Sequence, residues 1–450
     1  MKLDQRQVQH FSLRAGFGHP YEDILDAVGS SHIELFEQQS SQSMETKSVK
    51  VKIDLPIQSQ YKKLSEKEKE EVKKQRRKLV RNLNASWMRE LANSKSQLRE
   101  KMAFFWHDHF ACKSSNPVFA QQYLDIIRKN ALGNFGDLLR EISKSPAMLS
   151  YLNNQQNKKS SPNENFAREV MELFTLGRDH IYTENDIAEA ARAFTGWTFD
   201  PDGSFVFAEE RHDTGMKNVL GKKGNFDGDD VINMLLAEPH TAHYLAHKWV
   251  KFFMSIDGDR RLEKRIAKEL LRTDYNILSG LEVLFTSRSF YRSEHIGTRI
   301  KSPIELITSM QRQLHVKITD ENSLLYLQQM LGQVIFSPPN VSGWPVDGRE
   351  WVDSASLIFR IDLPQLMFKA ALIKHHHKSF DDNDQFTVKG QLRKLRTTID
   401  FKKLERNFES LPMTELSAYL LQTDTPIRNE PGDFIDNLIY LTSKPEFQLC

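Results

Sequence analysis

Apolar residues recur at helical spacing along most of the chain, and the clearest case runs from Ser161 to Gly177. Phe166, Val170, Leu173 and Phe174 fall at i, i+4, i+7 and i+8, while Asn165, Arg168, Glu169 and Glu172 gather on another side. Ser161, Pro162 and Glu164 have the order of an N-cap, a first-turn proline and a capping box, and Gly177 marks a stop. The pattern predicts one helix with an apolar stripe for a core and a polar side for chemistry.

The same reading extends outwards. Lys62 to Arg81 predicts a charged, solvated, projecting helix, and residues 86 to 110 a second one ending in Phe104-Phe105-Trp106-His107-Asp108-His109-Phe110. On that wheel Met102, Trp106, His109 and Phe110 share a face, and His107 points about 200° away from His109, nearer Glu100. Two helical segments follow over 117 to 150, with starts at Asn134 and at Ser145-Pro146. Thr183 to Asp186 caps an alanine-rich helix stopped by Gly196. Trp197 to Phe207 alternates around Pro201-Asp202-Gly203, which predicts a β-hairpin. Asp227, Asp229 and Asp230 lack the spacing of a calcium loop and suit an N-cap instead. Ser302-Pro303-Ile304-Glu305 repeats the capping logic, and Ser337 to Pro345, broken by three prolines and a glycine, is a loop.

These elements predict a mainly α fold: a large multi-helix body with one small β-hairpin near 197–207. Residues 1–361 form the expected body, with a charged insertion near 40–85, and 362–450 a C-terminal helical appendage. A chain of 450 residues can bury such a core.

Composition narrows the partners. Charged residues make up 27% but net charge is only +2, so no global excess of basic charge argues for nucleic acid. No apolar run approaches the roughly 20 residues of a membrane helix. Cys112 and Cys450 are too few for a disulfide framework. The stretch from Met1 to Gln7 lacks the features of a secretory signal, and the expected location is the cytoplasm.

Several segments in one order resemble a known family. They are Phe105 to Phe110, Asn163 to Gly177, Phe194-Thr195-Gly196-Trp197, Arg211-His212-Asp213, Ile300 to Leu306 and Pro338 to Pro345. From about Phe11 to Phe359 the chain resembles the bacterial family catalogued as domain of unknown function 1800. The resemblance implies no activity and no catalytic residues, because none is established for the family. It does imply a partner: relatives are often encoded beside a protein similar to the alkaline phosphatase and sulfatase superfamily. Many relatives look exported, and this chain departs from them in lacking the signal.

Candidate chemistry comes from the polar side groups. Asn165, Glu169 and Glu172 lie at i, i+4 and i+7, where carboxylates can act as acid and base or hold a divalent metal if imidazoles come opposite. His107 and His109 would supply them, giving a mixed nitrogen and oxygen site suited to zinc, manganese or iron. The bland reading pairs Arg168 with Glu172 and makes the histidines hydrogen-bonded core groups. Arg211, His212 and Asp213 join a cation, a switchable base and an anion on one loop, and Trp344 sits in an aromatic, charged loop that suits substrate contact or simple burial. His375-His376-His377 suits adventitious nickel. No nucleophile elbow, phosphate loop or dinucleotide fingerprint occurs.

Two functions stay open on these residues. One is a hydrolase-like enzyme, metal-assisted or not, with His107, His109, Glu169, Glu172, Arg211 and His212 as catalytic groups and Asn165, Arg168, Asp213 and Trp344 as substrate contacts. The other is a non-catalytic binding or assembly protein acting with a separately encoded partner.

Overall fold

The computed structural model describes residues 1–45, 47–56, 58–178, 181–373, 386, 394–423 and 432–450. Helices carry the fold, and the strands among the described residues pair into three two-stranded antiparallel sheets. The helix Gln97–His109 lies at the centre. Every residue in it is buried except Asp108, which keeps partial contact with solvent. A helix buried on all sides must satisfy its own charges. Glu100 accepts from Trp87 Nε1 at 3.0 Å and from Arg128 Nη2 at 2.6 Å. Arg99 donates to four backbone oxygens, those of Ser43, Met44, Arg128 and Lys129.

Charged residues 66 to 93 form one continuous helix, Glu66–Asn93, where two were expected. Nothing in Asn82-Leu83-Asn84-Ala85 breaks a helix, and the chain turns only at Ser94 to Ser96. Its first half is solvated, with pairs such as Lys69–Glu66 at 2.7 Å. Its second half enters the core through Leu79, Val80, Leu83, Trp87, Met88 and Leu91.

Asn134, Ser145, Thr183, Asp227 and Ser302 cap their helices as their sequences predict. The expected hairpin is present as Trp197–Phe199 paired with Phe205–Phe207. Lys217–Val219 pairs with Lys222–Gly224, a ladder too polar for its alternation to show; Leu220 and Gly221 supply the two positive φ angles of its turn. Val316–Ile318 pairs with Thr397–Ile399, far away in sequence.

The 361/362 division expected from composition falls inside the helix Ser354–Phe368. Beyond it, Gln9 Nε2 donates to Tyr419 O at 3.1 Å, and Lys301 N to Gln448 O at 2.8 Å. Leu404, Phe408, Tyr419, Leu438 and Phe447 belong to the same apolar core as Trp87 and Trp106. His375 to His377 lie outside the described residues.

Candidate functional site

The stretch 161 to 177 starts later and ends differently from the single helix expected. Asn163 is the cap, its Oδ1 accepting from Asn165 N at 3.0 Å, and Ser161 instead bridges to Lys158. The α-helix covers Glu164–Met171, and Glu172–Leu176 widen into a π-turn that ends at Gly177, φ 78°. Thr175 Oγ1 donates back to Val170 O at 2.7 Å, which steadies the wider turn. Such turns are concentrated at functional sites, because they re-aim side chains and free backbone groups. Here two freed carbonyls are taken up: Leu173 O by Tyr244 Oη at 3.2 Å, and Phe174 O by His109 Nε2 at 3.1 Å.

The π-turn disrupts the expected stripe. Asn165 is exposed. Arg168 reaches Glu172 at 3.4 Å, as its spacing predicts, but its closest partner is Glu184 at 2.7 Å, with Glu164 at 3.1 Å. Glu172 also faces Arg178 at 3.7 Å. Glu169 is half-buried, and its Oε2 has no hydrogen-bond partner. Burial, and then Glu172, push its carboxyl above the ordinary value.

The two histidines point apart and are both buried. His107 Nε2 accepts the Phe336 N–H at 3.2 Å, so the neutral ring carries its proton on Nδ1. Its ring stacks on Trp344 at 5.2 Å and 19°, and burial lowers its pKa to about 3. Its ring also lies 5.2 Å from that of Trp87, whose Nε1 donates to Glu100, and Arg128 holds the same carboxylate. His109 donates from Nε2, and burial likewise holds it well below its ordinary value. Both rings are neutral and bond the backbone through Nε2, while the Nδ1 of each is buried without a partner.

Between them lies Asp108, which their own side chains flank. Its Oδ1 accepts the Trp344 N–H at 2.7 Å, while Oδ2 takes no hydrogen bond from the described residues. The approach depends on Gly343, at φ 81°: a Cβ there would sit 2.2 Å from Asp108 Oδ1. Burial pushes the Asp108 carboxyl up from 3.8 to about 6, against the pull of Lys248 and the Trp344 N–H. Lys248 is lowered by burial and held up by Asp108. Tyr244, one turn earlier on the helix Pro239–Phe253, stands 5.6 Å from Lys248 Nζ at its ring centre. Burial raises Tyr244 to about 12, and it feels both Arg178 and Asp108. Arg178 donates to Ser342 Oγ at 3.2 Å, tying the exit of the π-turn to the 337–345 loop.

The structure therefore sets Asp108 with Lys248 and Tyr244, and Arg178 with Glu172 and Glu169, and Tyr244, which feels both Asp108 and Arg178, links the two groups. Of the residues expected from sequence, Glu169 and Glu172 lie beside Arg178, and His107, His109 and Trp344 flank or bond Asp108 and its neighbours. Trp344 is buried at 6% exposure, so it steadies the loop by stacking rather than offering a face. Asp108 could have been suspected as the lone carboxylate in an aromatic run, and Tyr244 and Lys248 as an i, i+4 pair. Arg178 carries no such signal.

Arg211, His212 and Asp213 serve the hairpin. Asp213 binds Arg192 Nε at 2.7 Å, and its N–H donates to Thr195 Oγ1 at 2.8 Å. His212 Nδ1 meets Thr195 O at 2.9 Å, and Arg211 is exposed, with Glu210 at 3.7 Å. Among the described residues, no three His, Cys, Asp or Glu side chains are placed to hold a metal ion.

The family model described as "Protein of unknown function (DUF1800)" matches residues 10–449. The chain belongs to that family. The match continues past Phe359, where the sequence motifs end, into the segment whose Thr397–Ile399 strand and Tyr419 join the body. No curated protein and no solved structure matches the chain. No described helix is long and apolar enough to cross a membrane.

Proposed function

We propose that this member of the family is a hydrolase-like enzyme whose acid–base group is Asp108. The observation that carries the reading is a partly exposed carboxyl, fixed through one oxygen by the Trp344 N–H and open at the other, with its pKa raised to about 6. A group poised near the working pH can take a proton from an attacking water and return it to a leaving group. Lys248 supplies positive charge for an anion developing beside it, in surroundings that strengthen the interaction. Glu169, with an oxygen left unpaired, orients a hydroxyl or ammonium of the substrate. The proposal does not use a metal, since Glu169 and Glu172 lack a third ligand among the described residues. The unpaired, buried thiols Cys112 and Cys450 suit a reducing compartment such as the cytoplasm.

The test is a panel of chromogenic carboxylic esters, phosphate esters, amides and glycosides, run with the purified protein and with Asp108→Asn. We expect one class to be turned over and the variant to lose about 10²–10⁴-fold in kcat. Equal turnover by a folded Asp108→Asn variant, or no turnover of any class, would remove the reading.

A further inference from the structure

A second polar cluster, from other parts of the chain, is not used by the proposed reaction. Arg14, Lys101, Lys301 and Arg360 are each at most 1% exposed, and the Arg299 side chain is 10% exposed. They come from four separate segments. Opposing them are Glu305, which bonds Lys101 Nζ at 2.5 Å and Arg299 Nη2, and an anionic group of Cys450 that acts on Arg14, Lys101, Arg299 and Lys301. Five cations thus face two anions.

Neutralising the lysines does not close the gap. Burial lowers Lys301 to about 8, and Lys101 is lowered too. With both uncharged, three guanidinium groups, which keep their protons, still face two anions. Burial alone would raise Glu305, yet Arg299 and Lys101 hold it well below the carboxylate range, so it offers no further charge.

Hydrogen bonding shows the same surplus of donors. Nε and Nη1 of Arg14, Nε of Arg299, and Nε and Nη2 of Arg360 are buried without partners. Arg360 Nη1 donates to Lys301 O at 3.1 Å and to Gln448 Oε1 at 3.4 Å. That orientation leaves Gln448 Nε2, another donor, also buried and unpartnered. Unpaired charge and unpaired donors inside a protein both cost free energy, and one small acceptor of negative charge relieves both.

We propose that Arg360 and Gln448, in the positive field of Arg14, Arg299 and Lys301, bind a compact inorganic anion, a halide or a small oxyanion. The anion fastens the helix Ser354–Phe368 to the 447–450 segment, beside the chain at Arg299 to Lys301. It is a structural ligand of the folded chain, independent of the role proposed for Asp108.

The test uses the full chain, refolded from denaturant and melted at constant ionic strength in bromide, in inorganic phosphate or in the bulky anion gluconate. We expect Tm to rise by roughly 2–5 °C as bromide or phosphate replaces gluconate from about 1 mM to about 100 mM. A response to bromide alone assigns a halide, and one to phosphate alone an oxyanion. Arg360→Gln should abolish the response, and Gln448→Leu, a milder change, should weaken it. Identical Tm values in all three anions, or an undiminished response in a folded Arg360→Gln or Gln448→Leu variant, would overturn the proposal.

Discussion

Two polar regions look alike in the sequence and differ in the fold. Arg211-His212-Asp213 and the Phe104 to Phe110 stretch each set histidine beside aspartate. In the first, the partly buried Asp213 and the buried His212 pair with near neighbours: Asp213 takes Arg192 and the Gly215 N–H, and His212 Nδ1 meets Thr195. In the second, pairing is incomplete: Nδ1 of His107 and of His109 is buried without a partner, Asp108 is bonded through one oxygen, and Glu169 Oε2 takes no bond. Buried polar groups are normally paired, so a cluster that leaves several of them unpaired is the informative one. The histidines drew attention by their type, whereas the proposed chemistry rests on the aspartate between them.

The largest effect expected from this contrast is on turnover. Lys248→Met should cost about 100-fold or more in kcat, because it removes the charge facing Asp108. Arg211→Met, in the satisfied region, should leave kcat within about twofold. A strong loss from Arg211→Met, measured on whichever substrate the panel identifies, would erase the difference between the two regions.

A second expectation concerns the loop that pins Asp108. Gly343→Ala puts a Cβ against Asp108 Oδ1 at a φ that disfavours side chains, and should cost on the order of 2–4 kcal/mol in urea unfolding. Gly221 has a similar φ but nothing near its missing Cβ. Gly221→Ala should cost only about 1 kcal/mol. Equal costs would mean that the 337–345 loop is not held by this contact.

A smaller loss is expected in the hairpin. Arg192→Met removes two bonds to a partly exposed Asp213 and should destabilise by about 1–2 kcal/mol, seen as a lower urea midpoint at neutral pH. An unchanged midpoint would show that the pairing there is cosmetic.

The pH dependence of stability should have opposite signs in the two regions. Asp108 has a raised folded-state pKa, so its contribution is full below about 4 and is lost as pH rises through about 6. Asp213 is lowered, chiefly by its bond to Arg192, so its contribution is present above 3.8 and is lost as pH falls through its depressed value. Urea midpoints across pH 3–7 for Asp108→Asn and Asp213→Asn, each minus the parent protein, check both signs. Curves that run in the same direction would contradict the contrast.

Much of the fold was legible because capping is local. Thr183 with Asp186, Asp227 with Asp230, and Ser302 with Glu305 announce their helices within four residues. The Trp197 to Phe207 hairpin announced itself by alternation around Pro-Asp-Gly. The π-turn at Glu172 to Leu176 did not, since Tyr244 and His109 stabilise it from other helices. For the same reason the pairing of Val316–Ile318 with Thr397–Ile399 was hidden. The site was legible only in part. Glu169 and Glu172 stood out by spacing, but Asp108 and Lys248 are brought together, and Arg178 linked to them through Tyr244, from segments far apart in sequence.

The titration of Asp108 itself tests the central claim most directly. Carboxyl carbon NMR of the protein labelled at aspartate, assigned by the signal missing from Asp108→Asn, should show this group titrating near pH 6. A midpoint at the ordinary value of 3.8 would mean that the carboxyl is solvated rather than poised, and would contradict its assignment as the acid–base group.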